Sequence, residues 1–221
     1  ISRIESTLCI WRIVVNEFIN VKSEIGRLRR VMLHRPGIEL ANLMPDYLER
    51  MLAEDTPDVR RAGEEHDVFA NILRSNGVDV VYIEDMFTDV VRDEAVKKSF
   101  IHDFVEIGVH GISLKKAVAE YLDAIPYDKL FDTVAKGITR DDLKDIKEKP
   151  IQFYVKDDYP FLTDPLPNIY FTRDISFSIG TGIAISAMSM PARMRETLFV
   201  RYIHKYHPLF GAGSVDLLYD Y

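Results

Sequence analysis

Residues 56–85, TPDVRRAGEEHDVFANILRSNGVDVVYIED, decide the fold. Thr56 followed by Pro57 reads as a helix start, with threonine as N-cap and proline at the first helical position. Val68, Phe69, Ile72 and Leu73 recur at helical spacing and form its apolar face. Gly77 is the stop, since glycine tolerates the left-handed turn that ends a helix. VDVVYIED, 78–85, is then a strand. Upstream, GRLRRVMLH, 26–34, is a second strand, broken by RPG at 35–37, and PDYLERMLAED, 45–55, predicts a short helix. Residues 26–85 thus read as two strands with a helix between them.

Working outward, the pattern becomes helical. DVVRDEAVKKSFIHDFVEIG, SLKKAVAEYLDA, YDKLFDTVAKG and TRDDLKDIKEK each carry a 3.6-residue period. Asp89, Ser113 and Thr139 are the expected caps, and Gly111 and Gly137 end two of the four helices. Strands return from 151, as IQFYV, NIYFT, ISFSIG and GIAISAM, with GTG at 180–182 closing a hairpin between the last two. PARMRETLFVRYIHKYHP starts a helix at Pro191 that must stop before Pro208. The fold class is α/β, with a helical insertion between strand-bearing parts. There is no internal repeat and no low-complexity segment.

The 221 residues are 47% hydrophobic and carry a formal charge of −7, with a pI of about 5.4. An acidic chain without a basic run has no face for a phosphate backbone, so nucleic acid is excluded as a partner. The single cysteine, Cys9, permits neither an intrachain disulfide nor a cysteine-based zinc site, and reads as a small apolar residue in a reducing compartment, the cytoplasm. ISRIESTLCIWRIVVNEF is interrupted by Glu5, Arg12 and Glu17; it reads as neither a signal peptide nor a membrane span.

His204 and His207, i and i+3 near the end of the last helix, read as a dipole contact or plain surface. His66 reads as half-buried against a neighbouring helix. His34, at a strand end, is either a support or a site residue. The segment PNIYFTRD, 167–174, is more informative, because an aromatic strand ends on adjacent opposite charges. Asn168, Phe171 and Asp174 are spaced by three and converge only if the chain bends after Thr172. An amide, a ring and a carboxylate brought together suit a planar cation, which the carboxylate can grip with two parallel bonds while the ring covers its face. Arg193 and Arg195, near a helix start, need anionic partners. An internal ion pair with Glu196 or Asp174 serves that need as well as a ligand does.

PLPNIYFTRD followed by SIGTGIAISAMSMPARMRETL closely resembles the arginine deiminases. The resemblance extends back through SEIGRLRRVMLHRPGIELANLMP and EEHDVFANILRSNGVDVVYIED, and forward through YIHKYHPLF. It implies a pentein fold, an α/β-propeller of ββαβ units about a pseudo-fivefold axis with an all-α domain inserted after the first unit. Here that propeller would be partial: 19–88 its first unit, 89–148 the insertion, 149–221 its continuation, and 1–18 an extension of unassigned role. The implied reaction is hydrolysis of L-arginine to L-citrulline and ammonia without metal or organic cofactor. In it a cysteine thiolate attacks the guanidinium carbon, ammonia leaves, and histidine-activated water resolves the covalent intermediate. By the same resemblance Asp174 holds the substrate guanidinium, Asn168 and Arg193 hold its α-carboxylate end, and Phe171 packs along it. Arg173 has no substrate role to inherit and is structural.

The family's glutamate, its His-x-Asp motif and its nucleophilic cysteine follow later in the chain than LLYDY, and none of the six histidines here lies in such a motif. The 221 residues are therefore expected to be an N-terminal portion, inactive alone and prone to associate as a homo-oligomer through uncovered strand edges. Two other readings stand beside this one. One is a non-catalytic protein that binds a guanidino compound or a partner; the other is a related amidinotransferase or dimethylarginine hydrolase, against which the helical insertion and PARMRETL argue.

Overall fold

The computed structural model describes residues 19–146, 150, 153–154, 158–210 and 215–220. Cys9 and most of the strand expected at 151–155 lie outside these residues; Phe153 and Tyr154, which are described, sit in a turn.

The first strand, β1 (Arg30–Leu33), is followed by the one-turn helix α1 (Ile38–Ala41) and two 3-10 turns, Pro45–Tyr47 and Glu49–Met51. Then come α2 (Val59–Ser75) and β2 (Asp79–Tyr82), which pairs parallel to β1 from Arg30 opposite Asp79 to Leu33 opposite Tyr82. The N-cap of α2 is Asp58, whose carboxylate accepts the Arg61 amide, rather than Thr56. Gly77 ends the helix with φ +78, as its residue type required. The expected apolar face of α2 is not inward: Val68, Phe69 and Ile72 are each about half exposed. Strand β2 is also shorter than expected, since Ile83, Glu84 and Asp85 already belong to the next helix.

That helix, α3 (Ile83–Val91), begins a run with α4 (Glu94–Gly108), α5 (Ile112–Ala124) and α6 (Tyr127–Ala135). Asp93, not Asp89, caps α4, accepting from the amides of Ala95 and Val96. Gly111, with φ +96, stands before α5 in the place expected for Ser113. The fourth helix expected is a single 3-10 turn, Asp141–Leu143, where the Thr139 hydroxyl accepts the Asp142 amide. It sits beside a short antiparallel pair, β3 (Ile138–Thr139) with β4 (Phe161–Thr163).

After a short helix, α7 (Thr172–Ile175), the hairpin of β5 (Ser176–Ile179) and β6 (Gly182–Ile185) forms as predicted, with Gly180 at φ +58 in its turn. Two backbone hydrogen bonds of 2.7 Å tie Val21 to Gly180. Then α8 (Pro191–Met194) and α9 (Glu196–Tyr206) occupy the predicted closing helix, with a break at Arg195. A strand that sequence periodicity did not suggest, β7 (Asp216–Tyr219), runs parallel to β6.

One core joins the helical run to the strand-bearing parts. Phe87 of α3, Phe100 of α4, Phe131 of α6 and Phe199 of α9 meet with ring centroids 4.6–6.1 Å apart, all nearly fully buried. Edge-to-face packing of such rings adds about 1 kcal/mol per pair beyond simple burial. This cluster fixes α9, and with it the residues that precede α9, against the helices. Mixed α/β architecture agrees with the sequence reading. Among the described residues, no helix is long and apolar enough to cross a membrane.

Candidate active site

PNIYFTRD is not a strand. Residues 167–170 form a turn and Thr172 begins α7. The physical reason lies in the backbone: the Phe171 amide donates to the Asn168 carbonyl at 3.0 Å, and the Asp174 amide to the Phe171 carbonyl at 3.1 Å. These i to i+3 bonds bring residues spaced by three to the same side. The convergence read from the spacing is therefore present, produced by successive turns and not by a bent strand. Ile169, Tyr170 and Phe171 gave the segment its strand-like composition. The Thr172 hydroxyl anchors it by donating 2.8 Å to the Met32 carbonyl on β1.

Arg193 sits in the middle of these residues. Its Nη1 donates to Asp174 Oδ2 at 2.6 Å, its Nε to Glu196 Oε2 at 2.9 Å, and its Nη2 to the Asn168 carbonyl at 3.3 Å. The guanidinium carbon lies 5.8 Å from the centre of the Phe171 ring. All four residues carried over for the site (Asn168, Phe171, Asp174 and Arg193) are thus in one cluster. They are held there by the internal ion pair that the sequence left open. Arg193 is buried, whereas the Asp174 side chain is half exposed and faces outward. Burial alone would weaken the arginine charge; the hydrogen bond to Asp174 and the attraction of Glu196 outweigh it.

Glu196, the first residue of α9, is completely buried. Burial pushes its carboxyl up to about 7, against the pull of Arg193 and Arg195. Among the described residues its Oε1 has no hydrogen-bond partner, nor has Nη1 of the buried Arg195. Arg195 donates through Nη2 to the Asp164 carbonyl at 2.8 Å and lies over the Phe104 ring. Its side chain runs against Gly108, where a β-carbon would overlap it.

A second set of contacts, without any signature in the sequence, closes one side. The Asn168 amide donates 2.8 Å to the Met51 carbonyl, and Arg50 forks onto Asp164 at 3.0 and 3.1 Å. The Tyr159 hydroxyl adds 2.6 Å to the same carboxylate. Arg50 with Asp164 and Met51 with Asn168 lie more than a hundred residues apart and leave no local pattern to read.

The remaining candidates separate from this cluster. Arg173 forms a surface pair with Glu24 at 2.8 and 2.9 Å, which is the structural role expected of it. His34 is buried away from the cluster as a strand-end support. Its Nδ1 is 3.0 Å from Glu84, and its Nε2 is 3.3 Å from Glu39, near enough for charge attraction but out of line for a hydrogen bond. His66 packs on Tyr82 of β2. His207 is buried near Asp89 and so is not plain surface, while His204 reaches the Val215 carbonyl. Among the described residues, no cluster of histidine, cysteine and acidic side chains could hold a metal ion.

A family profile described as "Arginine deiminase" matches residues 49–221. Among curated proteins, the chain is 45% identical over 204 residues to an arginine deiminase of Borrelia duttonii (strain Ly). It is 42% identical over 206 residues to one of Streptococcus pyogenes. Each alignment covers 91% of this chain and 50% of the relative, so the chain spans about half the length of the curated relatives it matches.

Proposed function

The chain belongs to the arginine deiminase family, and we propose that the protein containing it hydrolyses L-arginine to L-citrulline and ammonia. The observation that carries this reading is the half-exposed Asp174 carboxylate, already bearing a guanidinium, that of Arg193. A carboxylate that accepts from one guanidinium in this way has the charge and acceptor geometry for another.

In the proposed cycle the guanidinium of substrate arginine takes the exposed side of Asp174 and is held by two parallel N–H bonds, with Phe171 beside it. Arg193 and Asn168 receive the α-carboxylate end. Gripping both ends fixes the guanidinium carbon in line for attack, which lowers the entropic part of the barrier. The attacking cysteine thiolate, the histidine that activates water and the supporting glutamate are assigned to parts of the protein other than these 221 residues. No metal or organic cofactor takes part.

We also read the parallel β1–β2 pair and the β5–β6–β7 sheet as pieces of a pentein propeller, with residues 89–148 as its helical insertion. The half-exposed Val68, Phe69 and Ile72 on α2 support association into a homo-oligomer. A cytoplasmic location fits the lack of cysteine pairs in the sequence. The test is citrulline release from arginine by the intact protein, beside that by residues 1–221 alone. The intact protein is expected to turn over and the shorter chain to be silent. Turnover by the shorter chain would place the nucleophile within it.

A further inference from the structure

We infer that Glu196 is a positioning residue that aims Arg193 at the carboxylate end of the substrate, an inference that rests on the deiminase reading of the site.

The case begins with the donors of Arg193. A guanidinium has five N–H groups, and among the described residues three are engaged, one each by Glu196, Asp174 and the Asn168 carbonyl. Two remain for an incoming carboxylate. Which way they point depends on how the guanidinium plane is held. The Asp174 contact is half exposed and lies where substrate is proposed to bind, and the Asn168 carbonyl is the longest of the three at 3.3 Å. The bonds to Glu196 and to the Asn168 carbonyl are both buried, but Glu196 alone has no proposed contact with substrate. It therefore sets the direction of Arg193 when the other two contacts change.

Glu196 is well placed for this. It opens α9, where the helix end favours a negative charge. It lies three positions after Arg193, the spacing that brings side chains together across a helical turn. Among the described residues it makes no hydrogen bond to Asp174, whose charge it feels only at a distance, so its directional hold on the site runs through the Nε bond of Arg193.

The experiment uses the full-length protein and compares wild type, Glu196→Gln, Arg193→Lys and the double variant, with citrulline formation as readout. Glutamine keeps the shape and removes the charge. Glu196→Gln is expected to raise KM for arginine about ten-fold, with kcat changed by less than about three-fold, since only the binding of one end is loosened. In the Arg193→Lys background the same change is expected to add nothing, because the route through the guanidinium is already gone. An unchanged KM, a matched fall in kcat and kcat/KM, or additive effects in the double variant would each overturn the inference. If Glu196→Gln does not fold, Glu196→Asp replaces it, with the same comparisons deciding. A wild type that forms no citrulline would instead reject the function proposed above, whereas an active wild type with an indifferent Glu196→Gln rejects this inference alone.

Discussion

Raising the pH should weaken the fold through His34. The side chain is buried, between Glu84 at 3.0 Å and Glu39 at 3.3 Å, with the Phe131 ring on another side. Burial taken alone would lower its pKa, but the hydrogen bond to Glu84 and the attraction of both carboxylates prevail and raise it from 6.5 to about 9. One unit corresponds to about 1.4 kcal/mol, so the protonated histidine favours the folded state by about 3 kcal/mol. The sign follows from the direction of the shift. That stabilisation is fully present below pH 6.5, where the unfolded chain is also protonated, and is lost as pH rises through about 9. Urea unfolding of wild type and His34→Gln at pH 6, 8 and 10 isolates it, since glutamine does not titrate in this range. The stability difference should shrink by about 3 kcal/mol between pH 6 and pH 10. A difference that stays constant with pH would refute a charged His34 and leave it a neutral support.

Two further perturbations follow from the geometry. Gly137 has φ +80, and a β-carbon there would lie 2.7 Å from the Pro165 nitrogen and 2.8 Å from the Thr163 carbonyl oxygen. Gly180, at φ +58, has open space around it. Gly180→Ala should therefore cost about 1 kcal/mol of backbone strain, and Gly137→Ala clearly more, as read by thermal unfolding. Asp164→Ala removes the acceptor of the Arg50 fork and of the Tyr159 hydroxyl, at an expected cost of about 1–3 kcal/mol in urea unfolding. It should also lower the Tyr159 phenol pKa in an ultraviolet titration, since burial first and Asp164 second hold that value up.

Elements bounded by glycine or proline could be read from the sequence. Gly77 and Gly180 each sit at positive φ where a stop or turn was expected, and Pro191 opens the last helical segment. Burial was harder to foresee. Val68, Phe69 and Ile72 have the spacing of a core face yet are exposed, because periodicity states which residues share a side and not what covers it. Residues 169–172 show the opposite failure. Their aromatic composition suggests a strand, but tertiary anchoring by Thr172 to Met32 and the Asn168–Phe171–Asp174 turn bonds override that preference. The spacing by three was the truer signal. The pairing of Arg193 with both Asp174 and Glu196 was one of two options the sequence held open. The contacts from Arg50 and Met51 had no sequence signature at all.

The first experiment is citrulline formation from L-arginine by the intact protein, run beside Asp174→Asn. Wild type should convert arginine to equal amounts of citrulline and ammonia. The variant should lose nearly all turnover while its circular dichroism spectrum is unchanged, since asparagine has the same shape and keeps an oxygen to accept the Arg193 Nη1 bond. Near-normal turnover by a folded Asp174→Asn protein would contradict the guanidinium role of Asp174. An inactive wild type would contradict the deiminase reading itself.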